Sequence, residues 1–193
     1  MNIKELPKII KTERLELRQL ESTLENAQLI FDAVKNENPD DFYFEYIVQT
    51  NDIIPQSVSE VLKQMKTEEE WNADNGATFH IFHNNDLVGY RRVYFFDSPS
   101  ANKTFRFAAV WFIKSARNKG FAKESMARLE EIAFNQLGAN RTSRICAPEN
   151  IVSANLAKSM GYHLDGISRQ NVVLINGAVI DSMMWSKLKS EYK

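Results

Sequence analysis

Residues 103–137 read KTFRFAAVWFIKSARNKGFAKESMARLEEIAFNQL: an apolar strand over 104–113, a short basic turn over 114–119 and a long helix from Gly120, in immediate succession. In the helix Ala122, Met126, Leu129, Ala133 and Leu137 lie on one stripe, and Gly138 supplies its stop. The first N–H groups of such a helix have no partner in a preceding turn. With the positive end of the macrodipole they favour a bound anion, so Arg117, Asn118, Lys119, Gly120, Phe121 and Ala122 form a candidate phosphate cradle. Gly120 removes the Cβ that would obstruct a close approach to the main chain, while Arg117 and Lys119 bring positive charge to the same mouth. An ordinary strand-to-helix connection with solvated basic residues fits the same segment, and one glycine does not decide between them.

Before this segment, residues 77–83 and 87–96 read as strands joined by Asn84, Asn85 and Asp86, a hairpin turn whose residues tolerate positive φ. His80 and His83 sit three apart on a strand and so face opposite sides, which argues against a shared metal ion; none is expected. TERLELRQL, residues 12–20, alternates Leu15 and Leu17 with charged residues as a half-buried strand does. Ser22 with Glu25, and Ser57 with Glu60, are capping-box signatures. They open two helices, the second ending in the acidic run 68–70, which reads as a solvated face. Between the helices FYFEYIV, residues 42–48, is aromatic without a clean period and suits either core packing or the lining of a substrate pocket.

After the central segment, residues 141–147 form a short strand, and Pro148, Glu149 and Asn150 lead into a helix through Met160 that Gly161 closes. Strands over 162–169, 171–175 and 178–185 complete the sheet, the last two joined by the hairpin dipeptide Asn176 and Gly177. Strands and helices interleave without repeat, linker or low-complexity stretch, which predicts one mixed α/β domain over residues 1–193.

A chain of 193 residues can bury a core without metal or disulfide staples, and 44% hydrophobic with 25% charged residues is ordinary globular composition. A net charge of -1 gives no global attraction to nucleic acid or an anionic membrane, and neither partner is expected. The single cysteine, Cys146, excludes an internal disulfide, and no apolar run approaches the ~20 residues that span a bilayer. The polar start lacks a secretion signal, so a cytoplasmic protein is expected.

VWFI followed by KSARNKGFA resembles the acetyl-CoA pyrophosphate loop of GCN5-related N-acetyltransferases (GNAT), whose pattern is Arg or Gln, two residues, Gly, one residue, Gly or Ala. Arg117, Gly120 and Ala122 stand in those places. Asn150, two residues, Ser153 and then LAKSMGY is similar to the second signature of the family, beside the thiol arm of the cofactor. The opening TERLELRQL resembles the RimJ/RimL-like branch, which acetylates protein N termini and includes small-molecule acetyltransferases.

The resemblance implies a mostly antiparallel mixed sheet splayed at its centre, flanked by helices, with acetyl-CoA as cosubstrate and no metal. Its pantetheine arm would pair with the backbone of Trp111, Phe112 and Ile113, its pyrophosphate would rest on residues 117–122, and Asn150 and Ser153 would border the thiol. An amine would attack the thioester directly, without a covalent enzyme intermediate. Ala157 occupies the place of the proton-donating Tyr of many members outside this branch, so the donor role passes to Ser153, whose type also suits a first-turn helix residue. The branch often carries a strand acid in Glu-Ile-Gly-Tyr-Trp; here the run is Ala108, Ala109, Val110, Trp111, without one, and Glu45 or a water relay is the candidate base. Cys146 is weighed as an acyl carrier against a small core residue, which the strand favours. A protein N-terminal α-amine is the expected acceptor. A small-molecule amine, and a CoA-binding sensor without turnover, are the alternatives, and a homodimer is left open.

Overall fold

The computed structural model describes residues 3–37, 55–98, 100–173 and 177–193. Eight strands hydrogen-bond into one sheet in the order β1-β2-β3-β4-β5-β6-β8-β7, and every neighbouring pair is antiparallel except β5 with β6. The strand expected over 12–20 shrinks to β2 (Glu16–Arg18), and a strand not expected, β1 (Ile9–Lys11), precedes it and pairs with it, Ile10 opposite Leu17. Thr12 causes the break: its N–H donates to the Leu15 carbonyl and its hydroxyl accepts from the Leu15 N–H, both at 2.9 Å. That tight turn lifts Glu13 and Arg14 out of the ladder.

Helix α1 (Leu24–Val34) is capped by Thr23, which accepts from the Asn26 N–H at 3.2 Å, not by the Ser22 and Glu25 box; the Ser22 N–H instead donates to Glu69. Helix α2 (Val58–Trp71) starts as expected, Ser57 accepting from the Glu60 N–H at 3.2 Å. The hairpin of β3 (Gly76–His83) and β4 (Asp86–Phe96) turns at Asn84 and Asn85, with φ of 52° and 69°. Next come β5 (Thr104–Phe112), α3 (Phe121–Asn135), β6 (Arg141–Cys146) and α4 (Ile151–Ser159). The two strands expected over 162–175 are one, β7 (His163–Val173), bulged between Ser168 and Val172 and paired with β8 (Val179–Leu188).

Alternation along the strands sends α3 and α4 to one face of the sheet and α2 to the other. On the α3 face Phe79, Ile81, Val93, Phe105, Phe107 and Trp185 pack with Met126, Leu129 and Ile132 into the main core. A second, smaller cluster, Ala27, Val61 and Met65, holds α1 to α2.

The feature that positions the site is the short contact between β5 and β6, which runs in parallel only from Thr104 opposite Arg141 to Phe107 opposite Arg144. Beyond Phe107 β5 stays with β4 as far as Phe112, through a bulge at Ala108, while β6 stays with β8 as far as Cys146. The two strands therefore part, and the sheet is splayed at its centre. Gly89 keeps β4 against the departing strand: a Cβ there would stand 2.1 Å from the Trp111 carbonyl oxygen.

Candidate active site

The turn after β5 is a single 3-10 turn, Lys114–Ala116, and Gly120 opens α3 in the left-handed region at φ 82°, with no side-chain cap. Asn118 is also left-handed, at φ 60°. The N–H groups of Asn118, Lys119, Gly120, Phe121 and Ala122 take no partner among the described residues, so five donors gather at the mouth of the splay. A Cβ at Gly120 would project to 3.3 Å from Arg14 Nη2 and into the approach to those donors. The cradle thus has the donor set and the clearance that a phosphate requires.

Arg117 and Lys119 divide the basic role. Lys119 is exposed, whereas Arg117 turns back, its Nε donating to the Phe112 carbonyl at 2.9 Å and its Nη2 lying 3.8 Å from Glu37. Glu37 also accepts from the Lys114 N–H at 2.9 Å and so ties the end of α1 to the turn. Arg14, which the sequence reading passed over, stands at the same mouth. It is bidentate on Glu124 of α3, with Nε and Nη2 each 2.7 Å from Oε2, and its guanidinium carbon is 4.9 Å from the Phe121 ring centroid. Burial of Glu124 raises its carboxyl pKa, but Thr12 and Arg14 outweigh that and the net direction is down.

At the apex of the splay, where the last β5–β6 rung closes, stand two buried arginines on the α3 face. Arg91 donates to the Ala122 carbonyl at 2.9 Å, and its guanidinium carbon lies 5.5 Å from the Phe107 ring centroid. Its pKa is brought down to about 9, by burial first and then by the charge of Arg144, so it stays charged at neutral pH. Arg144 reaches Met126 Sδ at 3.5 Å and donates from Nη2 to Ser153 Oγ at 2.5 Å.

The opposite face of the same strands is a floor of neutral rings. His80, Tyr90 and Trp111 sit side by side across β3, β4 and β5, with centroid separations of 6.5 and 6.2 Å. Burial lowers His80 to about 4; burial first, and then Glu68, raise Tyr90 to about 12. Beside them Arg92 of β4 forms an ion pair with Glu68 of α2; in the acidic run Glu69 and Glu70 are exposed as expected, and Glu68 turns to the sheet.

Residues 14–163 match the acetyltransferase (GNAT) domain family. The chain belongs to it. Over 95% of this chain and 98% of the relative, it is 24% identical to a probable N-acetyltransferase, YjcK, of Bacillus subtilis. It is also 36% identical to an uncharacterized N-acetyltransferase, p20, of Bacillus licheniformis, over 38% of this chain and 41% of that relative's length. Among solved structures, the microcin self-immunity acetyltransferase MccE, in complex with acetyl-CoA and AMP, superposes with a TM-score of 0.77 at 18% identity, covering 97% of this chain and 99% of that one. The ribosomal-protein alpha-N-acetyltransferase RimL, in complex with coenzyme A, gives 0.73 at 19% identity, covering 93% and 97%.

Membership makes the chain an N-acetyltransferase whose acetyl donor is acetyl-CoA, and the cradle of free N–H groups at Gly120 suits that donor's phosphates. In this acetyltransferase Asn150 caps α4, its Oδ1 accepting from the Ser153 N–H at 2.9 Å, and Ser153 lies in the first turn with its hydroxyl held by Arg144. Cys146 is fully buried at the end of β6 and packs in the core. Glu45 lies outside the described residues. His80 and His83 do face opposite ways: His83 lies against Phe121, 4.8 Å between centroids, on the α3 face. Among the described residues no three of His, Cys, Asp and Glu come together, and no helix is long and apolar enough to cross a membrane.

Proposed function

We propose that the chain carries the acetyl group of acetyl-CoA to a protein N-terminal α-amine, by direct attack of the amine on the thioester. The observation that carries this reading is the splay, which leaves the main chain of Trp111, Phe112 and Ile113 beside a cleft that ends on the amide cradle. Acetyl-CoA supplies an activated acyl group; the chain supplies grip, orientation and a proton. The N–H groups of 118–122 hold the pyrophosphate, and residues 111–113 offer backbone groups to the pantetheine amides, the Phe112 carbonyl after release by Arg117. Ser153 gives its hydroxyl proton to the departing sulfur and recovers the one that the attacking nitrogen sheds as the amide forms, directly or through solvent. Arg144, donating to Oγ, makes that proton easier to lose by favouring the charged oxygen left behind.

The acceptor follows from what the strands lack. Neither β5 nor β6 carries Asp or Glu, so no strand carboxylate strips the incoming ammonium. An α-amino group with pKa near 8 is roughly a tenth neutral at pH 7, against about one part in a few thousand for a lysine amine near 10.4. Such a site is better matched to the α-amine, and the fold likeness to RimL agrees. The likeness to MccE favours a second reading, a small-molecule amine.

Two measurements test this. A peptide with a free α-amine and an internal lysine should gain one acetyl group at its N terminus, by fragment mass spectrometry, and a blocked peptide should gain none. Turnover of small amines with no peptide product would move the reading to the second acceptor class; binding of acetyl-CoA with no free-thiol release for any amine would leave only a CoA-binding protein. In calorimetry, Gly120→Glu should weaken acetyl-CoA at least about a hundredfold, since it sets a negative charge among the donors. Retained affinity would contradict the cradle.

A further inference from the structure

We propose that Glu68 of α2 is the carboxylate that receives the acceptor's ammonium group, over the stretch of β5 that the splay uncovers. The inference rests on the amine-acetylating function above and names the acceptor side of that site.

Placement comes first. Glu68 reaches the sheet through Arg92, and the Cα partner of Arg92 on β5 is Ala109, just past the last β5–β6 rung at Phe107 and Arg144. Two residues back on the same face Tyr90 stands opposite Trp111. The negative charge of Glu68 is felt at the Tyr90 phenol, whose raised pKa it helps to cause after burial. The carboxylate therefore overlooks residues 109–111, on the face away from α3.

Availability comes second. The Glu68 side chain keeps 24% of its surface in solvent, while Arg92 keeps 13%. Arg92 engages Oε1. Ala108 and Ala109, at and beside the rung facing Arg92, are half-buried and carry no side chain past Cβ.

Charge comes third. A primary ammonium seeks a carboxylate and an aromatic face, and both are here: Glu68 beside the Tyr90–Trp111 pair, 6.2 Å between centroids. His80 stays neutral in the same floor, and Arg92, which carries positive charge there, is the ion-pair partner of Glu68. On the α3 face the buried groups at the apex, Arg91 and Arg144, are both cationic and would repel an ammonium. Glu37, at the other end of the cleft, already accepts from Lys114 and faces Arg117.

The competing account is that Glu68 only pins α2 to Arg92, and steady-state kinetics separate the two. The probe is a peptide with a free N-terminal α-amine, with acetyl-CoA as donor. Glu68→Gln keeps an acceptor oxygen for Arg92 and removes the charge, so KM for the peptide should rise roughly tenfold to a hundredfold, the scale of a lost charged hydrogen bond. KM for acetyl-CoA should not move, the melting temperature should fall only by what a partly exposed ion pair contributes, and Glu68→Asp should recover part of the loss in peptide KM. An unchanged peptide KM overturns the proposal. So does a rise in both KM values with a falling melting temperature, which is the signature of a pin. If the parent chain releases no thiol with any amine, the acetyltransfer reading fails and this proposal with it; turnover indifferent to Glu68 fails this proposal alone.

Discussion

The two faces of the central strands handle buried polar groups in opposite ways. On the α3 face charge is kept and placed: Arg91 and Arg144 at the apex of the splay, and Lys187 of β8 paired with Glu130 of α3 at 2.7 Å, with side-chain exposures of 8% and 2%. On the α2 face the rings are neutral over the physiological range, His80 because burial holds it near 4 and Tyr90 because burial and Glu68 hold it near 12, and the charge there is a partly exposed pair, Arg92 with Glu68. The sheet separates a face with two buried arginines at its apex, suited to an anionic donor, from an aromatic floor whose carboxylate, Glu68, is paired with Arg92. The splay is where the two meet.

The sharpest way to break the contrast is to strand a charge on the α3 face. Lys187→Met would leave Glu130 buried beside Tyr162, whose hydroxyl already sits well above its usual pKa because of burial and then Glu130. An uncompensated buried charge costs roughly 3–5 kcal/mol, so urea unfolding should show a loss of that order. Glu130→Leu added to Lys187→Met should restore most of it, because a matched apolar pair replaces the ion pair. Full loss in the double variant would mean that packing, not charge, sets the cost.

On the α2 face the same question is asked with acid. The folded pKa of His80 is about 4, against 6.5 for the ordinary side chain, so between those values the unfolded chain binds a proton that the folded chain refuses. Stability should be unaffected above pH 6.5 and should fall as pH drops through that window, by about 3 kcal/mol once below 4. Nδ1 of His80 is buried without a hydrogen bond, so His80→Phe removes a polar atom with no partner as well as the titration. The variant should therefore lose this part of the acid slope, measured as the difference between the two unfolding profiles from pH 7 to 4. Equal slopes would place a proton on His80 in the folded chain and spoil the picture of a neutral floor.

How legible the molecule was in its sequence follows from the range of the interactions. The helix α3 and its uncapped start were readable because Gly120, the apolar stripe and the preceding strand are local signals, and the turn at Asn84 and Asn85 was readable for the same reason. Short β1 was missed: three residues do not establish a period. Thr23 replaced Ser22 as cap because Glu69 of α2 claimed the Ser22 N–H, a partner far off in the chain. The charged residues were the main failure. Glu130 lies beside Glu131 and reads as solvated, yet it is buried against Lys187. Arg91 and Arg92 are adjacent, and strand alternation alone would have sent one to each face, but burial of an arginine is not a pattern that hydropathy reports. Arg14 hid inside an alternating motif that Thr12 in fact interrupts.

The smallest expected effect concerns Ser153, which Arg144 holds beside the apex of the splay. Its backbone N–H is what Asn150 caps, so Ser153→Ala removes the hydroxyl and leaves the start of α4 intact. A loss in kcat of roughly tenfold to a hundredfold, with KM for acetyl-CoA unchanged, is what a proton donor to the leaving sulfur predicts. Arg144 touches Ser153 Oγ, so its contribution to rate should pass through that oxygen. Arg144→Met in the Ser153→Ala background should then cost little further kcat, although either change alone costs rate. Additive losses would separate the two residues, and Arg144 would be left as a fixed charge at the apex, serving the donor's binding and not its chemistry.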